Sequence, residues 1–260
     1  MVCGTRGSFP QCSDHYKRYG RNTSCYYVDC SIHLFLDAGT GIIEGGKQVK
    51  DNKDVHILLS HLHLDHILGL LECDLLKDEK RTIHIYGEAR KKESLKQELE
   101  NLISPPFWPL ALSAFPAKII FHEIEAGQCF SIGSLHIKTK RAIHPDQSVL
   151  FLLEENGQIV GYCSDHEIRA DKKEETVSFF SGCKLVLFDG GDLPSHIHEG
   201  WGHSSWKEGI AFKKKASVDR LLIVHYGYDC DDEILKKEED EAGKEEENCL
   251  FAYEGMEIDL

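Results

Sequence analysis

The sequence predicts a mixed α/β (α+β) chain in which stacked β-sheets are covered by helices. Apolar runs rich in β-branched and aromatic residues, each bounded by turn residues, predict strands. The first runs follow one another as closely as the strands of hairpins, whereas helical stretches separate the later ones. The predicted strands are Cys25–Val28, Ile32–Leu36, Val55–Leu59, Ile83–Tyr86, Ser148–Leu153, Ile159–Cys163, Leu185–Phe188 and Leu221–Val224. The predicted helices are Asp65–Leu76, Arg90–Ile103, Ser204–Lys215 and Asp232–Glu247.

Two segments need a separate interpretation. Residues 103–116 contain four prolines and the aromatic pair Phe107 and Trp108, so we expect a loop or cap element and not a regular helix or central strand. Residues 231–247 carry ten acidic residues and three lysines, which favours a solvated surface helix, and an apolar strand-like end follows. Because no internal repeat or linker is evident, we expect residues 1–260 to form a single domain.

Composition and charge restrict the classes of partner. The formal net charge of −14 argues against a long nucleic acid, because neutralising phosphates requires clustered Lys and Arg. The sequence has neither an apolar run of the ~20 residues that span a bilayer nor a secretory apolar start. We therefore expect a cytoplasmic protein without a membrane partner. The ten cysteines contain no C-x-x-C pair, and we expect them to be buried, reduced thiols.

The strongest functional signal lies in residues 55–70, where a five-residue apolar strand is followed by His61, His63, Asp65 and His66. His61 and His63 alternate in extended backbone and so point the same way, while Asp65 and His66 fall on the first turn of a helix. Imidazole and carboxylate are ligands that suit Zn²⁺ and related divalent cations. The stretch therefore predicts a metal site, and a polar turn with chance histidines is the alternative.

The same stretch, S-H-L-H-L-D-H, resembles the signature of the metallo-β-lactamase fold superfamily. Further motifs match that family in order, each an apolar strand that delivers one polar residue at its tip. They are Leu36–Gly41 (L-D-A-G-T-G), Ala142–Pro145 (A-I-H-P), Tyr162–Asp165 (Y-C-S-D) and Ile223–His225 (I-V-H). The resemblance implies a four-layer αββα sandwich with the site at one edge between two β-sheets. Residues 103–116 would roof this site, and Phe107 and Trp108 would stack on a base or pack in the core.

By this resemblance the motifs hold two adjacent divalent metal ions, with zinc expected and manganese or iron as alternatives. Asp37 would fix a ligand histidine through its free ring nitrogen, or would make hydrogen bonds within its own motif. Asp165 would bridge the two ions. The remaining implied ligands are His61, His63 and His144 for one ion, and Asp65, His66 and His225 for the other.

A further motif, Gly200–Trp206 (G-W-G-H-S-S-W), resembles the histidine–serine loop of the phosphodiesterase branch of the superfamily. That branch includes ribonuclease Z and small cyclic-phosphodiester hydrolases, and its loop histidine assists the departing oxygen. His203 is therefore expected to act as a general acid or to stabilise developing charge. The alternative is a helix N-cap loop in which Ser204 caps the helix and His203 is merely exposed.

The flanking segments resemble bacterial small-molecule members of the same branch. They are Gly4–Pro10, Tyr19–Cys25, Ser104–Pro109 and Ala252–Ile258. Within them Arg6, Ser8 and Asn22 are weak candidates for contacts with a substrate phosphate. The sequence lacks the long basic arm that ribonuclease Z uses on tRNA, which argues against RNA processing.

Asp189 and the remaining histidines are not expected to bind the metal ions. Asp189 is a weaker site candidate, and hydrogen bonding at a strand end is the alternative. His196 and His198 are expected to line the pocket without binding metal, because a matching set of partners is lacking. The histidines expected to have no role in the chemistry are His15, His33, His56, His84, His122, His136, His166, His196 and His198.

Two divalent cations about 3.5–4 Å apart share a hydroxide and polarise the bond that it attacks. The resemblance thus implies a dinuclear metal-dependent phosphodiesterase with Asp65 and His203 as catalytic residues. The expected substrate is a small anionic phosphodiester, such as a cyclic nucleotide or cyclic phosphate. Alternatives are an RNA or DNA phosphodiesterase, a thioester or lactone hydrolase, and a non-catalytic nucleotide- or metal-binding protein. A homodimer is left open.

Overall fold

Two mixed β-sheets form the centre of the structure, a computed structural model that describes residues 1–51, 53–88, 92–169 and 171–260. The first sheet has six strands, which lie side by side in chain order. The first two pairs are antiparallel, and the strands from the third onward run parallel. The strands are Val2–Gly4 (β1), Cys25–Asp29 (β2), His33–Leu36 (β3), Val55–Leu58 (β4), Thr82–Glu88 (β5) and Lys118–Ile124 (β6).

The second sheet has seven strands, in reverse chain order across the sheet. Its first four strands form an antiparallel meander, and the last four run parallel to one another. The strands are Cys129–Ile132 (β7), Leu135–Arg141 (β8), Val149–Glu155 (β9), Gln158–Cys163 (β10), Leu185–Asp189 (β11), Arg220–Val224 (β12) and Cys249–Phe251 (β13).

Helices cover the outer face of each sheet. They are Ile42–Gly45 (α1), Leu64–Ile67 (α2), Leu95–Leu102 (α3), Lys173–Phe179 (α4), Trp206–Ala216 (α5) and Asp232–Glu245 (α6). Short 3-10 turns occupy Asp14–Tyr16, Gly46–Gln48, Leu68–Leu71, Asp74–Lys77 and Leu112–Ala114. Within the described ranges, none of the helices is long and apolar enough to cross a bilayer.

Three apolar cores separate the four layers. In β3, Leu34 and Leu36 face the core between the sheets, while Phe35 faces the core under α1 and α3. The third core lies between the second sheet and helices α5 and α6. Because both faces of the central strands are buried, β11 is an uninterrupted apolar run up to Asp189. The predicted αββα sandwich is confirmed.

The predicted helix from Asp65 to Leu76 is wrong beyond its first turn. The backbone N–H of Ala38 donates to the His66 carbonyl at 2.7 Å, and the N–H of Gly69 donates to the Ala38 carbonyl at 3.0 Å. These bonds to the turn after β3 replace the i→i+4 bonds that would continue the helix. The chain therefore continues as two 3-10 turns.

Other helix boundaries also differ from the prediction. Helix α5 begins at Trp206 because Ser205 and Glu208 form a capping box, so Ser204 is not the cap. Helix α3 begins at Leu95, and the predicted start at Arg90 lies outside the described residues. The short helix α4 and the strands β1, β6, β7 and β8 were not predicted. In β8 buried and exposed residues alternate, so no continuous apolar run marks this strand in the sequence.

The proline-rich segment is a loop with one 3-10 turn, as predicted. Trp108 packs against the core under α1 and α3, whereas Phe107 is 74% exposed. The ten cysteines are all free thiols, and seven of them are buried. Cys12 and Cys129 are exposed and Cys30 is half-buried, so the expectation of burial is wrong for these three.

Three histidines stack side by side on strands β4, β5 and β6. The ring centroids of His56 and His84 are 4.6 Å apart, and those of His84 and His122 are 5.1 Å apart. His56 is 8% exposed. Burial and the neighbouring His84 and His122 lower the pKa of His56 to about 4. The native state thus keeps His56 neutral at a pH where the unfolded chain binds a proton.

We therefore expect the free energy of unfolding to fall as the pH drops from about 6.5 towards 4, because protons bind the unfolded chain preferentially. His56 contributes a slope of at most about 1.4 kcal/mol per pH unit. The variant His56→Phe keeps the ring and removes the titration, so urea unfolding at several pH values should give a flatter profile. His15→Phe, at an exposed position, is the control. An unchanged slope in His56→Phe would contradict the assignment.

Candidate metal centre

The candidate site residues lie where strands of both sheets end. Because β3 and β4 run parallel in one sheet and β10, β11 and β12 run parallel in the other, the carboxyl ends of each set meet at one edge. Each of these ends is followed by a polar side chain from a predicted motif. The strand-end residues are Asp37 after β3, His61 after β4, Asp165 after β10, Asp189 at the end of β11 and His225 after β12.

The structure brings the implied ligands together in the predicted sets. His61, His63 and His144 form one group, and Asp65, His66 and His225 form another, with the potential ligand atoms of each group within 4.8 Å of one another. Asp165 joins both regions through a third group with His61 and His66. A fourth group contains Asp165, His203 and His225. Apart from the exposed His63, these groups lie in buried or half-buried positions.

The Asp165 carboxylate lies at the centre of the cluster. Its Oδ1 is 3.8 Å from Nε2 of His61, 3.9 Å from Nε2 of His144 and 3.3 Å from Nε2 of His225. Its Oδ2 is 3.2 Å from Nε2 of His66. One carboxylate thus faces histidines of both sets, which is the placement that a bridging ligand requires.

Three of the strand-end residues have left-handed backbone conformations. The φ angles of Asp37, Asp165 and His225 are +58°, +51° and +60°. Each such conformation costs a non-glycine residue about 1–3 kcal/mol and persists only where its surroundings hold it. The sharp turn at each strand end directs the side chain across the edge of the sheet, so the strain is concentrated at the cluster.

Asp37 holds His66 in one orientation. The Asp37 carboxylate is fully buried and accepts hydrogen bonds from His66 Nδ1 at 2.6 Å and from the Tyr162 hydroxyl at 2.5 Å. It also accepts from the backbone N–H of Ser60 at 2.7 Å and from the Ser60 hydroxyl at 2.8 Å. With its Nδ1 proton donated to Asp37, His66 presents the lone pair of Nε2 to the cluster.

Three other histidines are oriented in the same way. Nδ1 of His61 is 3.1 Å from the Ser60 hydroxyl, and Nδ1 of His144 is 3.3 Å from the backbone carbonyl of Asp146. Nδ1 of His225 is 2.9 Å from the hydroxyl of the buried Ser24. In each ring the Nδ1 proton is donated away from the cluster, which leaves Nε2 free to bind a cation.

The cluster has the properties of a divalent metal site. Nε2 of His61 and Nε2 of His66 are buried, and neither has a hydrogen-bond partner among the described residues. Buried polar atoms without partners are rare in native proteins and indicate a missing ion or water. Neutral imidazoles together with two carboxylates form a donor set that suits zinc and related cations. The residues present therefore fit the metal that the motif implies.

The electrostatics of the cluster agree with this reading at every shifted group except His66. Burial would lower the pKa of His66, but the carboxylates of Asp165 and Asp65 raise it, so a bound cation would displace a proton there. Burial lowers the pKa of His61 and of His144, which keeps both rings neutral. Burial would raise the pKa of Asp65 and Asp165, but the surrounding histidines outweigh it and hold both values below their usual range. Neutral histidines and ionised carboxylates are the forms that bind a metal ion.

His203 lies beside the cluster and is paired with Asp189. Nδ1 of His203 is 3.0 Å from Oδ2 of Asp189, and its ring stacks on that of His225 with centroids 5.2 Å apart. Burial would lower the pKa of His203, but the charge and hydrogen bond of Asp189 raise it to about 10. Asp189 also accepts from the backbone N–H groups of His166, Gly191 and Ser204. The sequence placed Asp189 at a strand end but did not reveal that it holds His203.

The three candidate phosphate contacts have different environments. Ser8 is next to the cluster, because its backbone N–H donates to Oδ2 of Asp65 at 2.7 Å. The preceding Gly7 allows this approach, since a Cβ there would lie 2.5 Å from Nε2 of His225. The structure does not bring Arg6 or Asn22 to the cluster.

Arg6 is fully buried and acts inside the protein. Its guanidinium donates to the backbone carbonyls of Gly20 and Cys230 and lies 3.8 Å from Oδ1 of Asp232. The side-chain carbonyl of Asn22 accepts from the Thr40 hydroxyl at 3.1 Å. The phosphate contacts expected for Arg6 and Asn22 are therefore not supported.

Several residues that orient the cluster have no motif of their own. Ser24 contacts His225 and Tyr162 donates to Asp37. These partners are distant in the sequence and meet because β2 and β10 bring them to the same edge of the sheets. His166, assigned no role in the chemistry, accepts from the Ile143 N–H at 2.9 Å and lies 3.1 Å from the Thr176 hydroxyl. It thereby supports the loop that carries His144.

The variant Ser24→Ala tests whether the Ser24 hydroxyl orients the His225 ring. Removing its hydroxyl in Ser24→Ala leaves Nδ1 of the buried His225 without its partner, so we expect the affinity for Zn²⁺ to fall about 10–100-fold. Competition with a chromophoric chelator measures the affinity without relying on activity. Ser148→Ala is the matched control, because the buried Ser148 hydroxyl has no hydrogen-bond partner among the described residues. Equal losses of affinity in the two variants would refute the role of Ser24.

The chain matches a known protein family over most of its length. The family model of the Beta-lactamase superfamily domain matches residues 27–226, which is more than half of the chain. Ribonuclease Z of Listeria welshimeri is 26% identical, over 80% of this chain and 81% of that protein. The chain also shares its fold with two solved structures.

The first is the metallo-beta-lactamase fold protein YhfI from Bacillus subtilis, with 20% identity, a TM-score of 0.73 and coverage of 98% of this chain and 96% of that chain. The second is the short form of human tRNase Z, with 19% identity and a TM-score of 0.72. The match covers 100% of this chain and 98% of that chain. The resemblance stated from the sequence motifs is confirmed. The chain belongs to the beta-lactamase superfamily, has the metallo-β-lactamase fold and is a metal-dependent hydrolase, and it is similar to ribonuclease Z proteins of the phosphodiesterase branch.

Proposed function

We propose that the protein is a dinuclear phosphodiesterase whose substrate is a small anionic phosphodiester, such as a cyclic nucleotide or another cyclic phosphate. The observation that carries this proposal is the position of the His203–Asp189 pair beside a cluster of groups that could hold divalent ions. We further propose that residues 1–260 act as one hydrolase domain, because a continuous apolar core joins the two sheets that share the site.

The proposal needs a place for each of two ions, for which zinc is the proposed metal. His61, His63 and His144 would hold one ion, and Asp65, His66 and His225 would hold the other, with Asp165 shared. When bound, such a pair lowers the pKa of a water molecule towards ~7 and stabilises charge on the phosphodiester. The remaining tasks fall to side chains of this chain.

Asp65 and His203 have distinct proposed tasks. The Asp65 carboxylate is fixed by the Ser8 N–H at 2.7 Å and would orient the attacking water by accepting a hydrogen bond from it. His203 donates its Nδ1 proton to Asp189, which leaves the Nε2 proton available to the departing oxygen. Asp189 accepts four hydrogen bonds, one of them from His203, and its carboxylate would stabilise positive charge on His203 before that transfer.

Charge supports a small substrate. Two divalent cations carry more positive charge than Asp65 and Asp165 neutralise, so the centre attracts an anion. The rest of the protein repels one, since the chain has a formal net charge of −14. A compact anion that fits within the centre is attracted by the positive charge of the two cations. A long polyanion is also repelled by the negatively charged surface of the protein.

An RNA phosphodiester is the second candidate substrate. The observation in its favour is that curated relatives over about four-fifths of the chain are named ribonuclease Z. A panel that contains adenosine 2′,3′- and 3′,5′-cyclic phosphates and a single-stranded oligoribonucleotide separates the two candidates. Turnover of a cyclic nucleotide at a higher kcat/KM than the oligonucleotide supports the proposal, and the reverse order overturns it.

The proposed acid is tested by varying the leaving group. A general acid contributes about 10²–10⁴-fold to a reaction whose leaving alkoxide must be protonated. We expect His203→Ala to lower kcat by that factor for a cyclic nucleotide and far less for bis-p-nitrophenyl phosphate, whose nitrophenolate departs without a proton. Steady-state kinetics on the metal-loaded protein measure both.

Two controls make this test specific. Asp65→Asn, which alters a proposed ligand, should reduce the turnover of both substrates together. Metal content measured on the same His203→Ala sample should match that of the wild type. If His203→Ala affects the two substrates equally, the role of general acid is wrong.

A further inference from the structure

A tryptophan on the histidine–serine loop is exposed beside the proposed metal centre. Trp201 is 62% exposed and lies two residues before His203. The intervening Gly202 packs on a proposed ligand, since a Cβ there would lie 2.3 Å from Cδ2 of His144. Trp201 is the neighbour of Gly202 in the chain, and consecutive Cα atoms are about 3.8 Å apart. The backbone of Trp201 therefore lies close to the His144 ring.

The Trp201 ring is held in place from one side. It stacks on His198 with ring centroids 4.6 Å apart and an interplanar angle of 25°. His198 is in turn fixed by Asp192, which accepts from Nδ1 at 2.6 Å and from the backbone N–H at 2.8 Å. Asp192 is itself buried, and its N–H donates to the Ser204 carbonyl. A chain of defined contacts therefore connects the ring to the loop that carries His203.

The chemistry of the exposed Trp201 ring indicates which kind of molecule binds to it. An exposed indole that is already ordered offers a flat π surface without a further cost of immobilisation. A protein partner needs about 800 Å² of surface on each side, whereas a single ring matches one planar group. Each nucleobase has such a planar face and stacks on aromatic side chains with little dependence on its identity.

We propose that Trp201, supported by His198 and Asp192, is the platform on which the nucleobase of the substrate stacks. This inference rests on the proposed phosphodiesterase function and narrows its substrate class to phosphodiesters of nucleosides. It assigns a role to the His198 side chain and its Asp192 partner, which take no part in the proposed chemistry.

The test compares substrates with and without a base. They are adenosine 2′,3′- and 3′,5′-cyclic phosphates and the corresponding cyclic phosphates of methyl riboside, which keep the sugar and the scissile bond. Stacking of one base on an aromatic residue corresponds to about 5- to 150-fold in affinity. We expect Trp201→Ala to raise KM by that factor for the nucleotide and to leave KM for the abasic substrate within about twofold of the wild type.

Further variants distinguish stacking from a merely structural role. Trp201→Phe keeps an aromatic face and should recover most of the lost affinity, whereas His198→Ala removes the support and should give an intermediate KM. Tyr253→Ala, at another exposed aromatic residue, is the matched control and should behave like the wild type. Equal effects of Trp201→Ala on both substrates, or no effect on either, would overturn the inference.

A binding measurement separates this inference from the proposed function. Adenosine 5′-monophosphate should quench the tryptophan fluorescence of the metal-loaded wild type and leave that of Trp201→Phe nearly unchanged. If the wild type hydrolyses none of the cyclic substrates but shows this quenching, the proposed reaction fails and the base platform stands. If hydrolysis occurs and no quenching depends on Trp201, the platform is wrong and the proposed reaction stands.

Discussion

The buried carboxylate of Asp37 is the interaction on which the rest of the site depends. A fully buried charge is costly unless several hydrogen bonds compensate it, and Asp37 accepts four. Two come from Ser60 at the end of β4, one from His66 and one from Tyr162 of the opposite sheet. The bond from Tyr162 joins the two sheets at the edge where the ligands converge. Asp37 therefore orients His66 directly, and it holds the Ser60 hydroxyl that contacts Nδ1 of His61.

The fold brings the ligand residues together, and strained backbone conformations direct their side chains towards one another. Parallel strands end together at one edge of each sheet, so polar residues that are far apart in the sequence become neighbours. The left-handed backbone of Asp37, Asp165 and His225 then turns each side chain across that edge. Because a ligand set needs both effects, the cluster depends on the packing of all three apolar cores.

Much of this arrangement could be predicted from the sequence, because His61, Asp165 and His225 follow apolar strands and the other ligands lie in short motifs. The early end of the helix predicted from Asp65 to Leu76 could not be predicted in this way, since hydrogen bonds to Ala38, a distant residue, end the helix. Burial of Arg6 likewise depends on carbonyl groups more than ten residues away. Long-range hydrogen bonds leave no local pattern, which also explains why the partnership of Asp189 with His203 was missed.

The acidic helix α6 shows the same limitation. It was expected to be a solvated surface helix, and many of its acids are exposed. However, Glu238 is buried and accepts from Nε1 of Trp206 at 2.6 Å, and Glu239 accepts from the Tyr19 hydroxyl at 2.8 Å. Some of the negative charge of the chain therefore fixes helix α5 and the N-terminal segment, while the rest opposes the approach of a polyanion.

The number of ions bound per chain tests the central claim most directly. The chain would be stripped with a chelator, reloaded with Zn²⁺, freed of excess ion and analysed for metal and protein on the same sample. The ligand sets predict two ions per chain in the wild type and fewer than two in Asp165→Ala, which lacks the carboxylate between the sets. A wild type that holds one ion or none, or an Asp165→Ala variant that still holds two, would contradict the account.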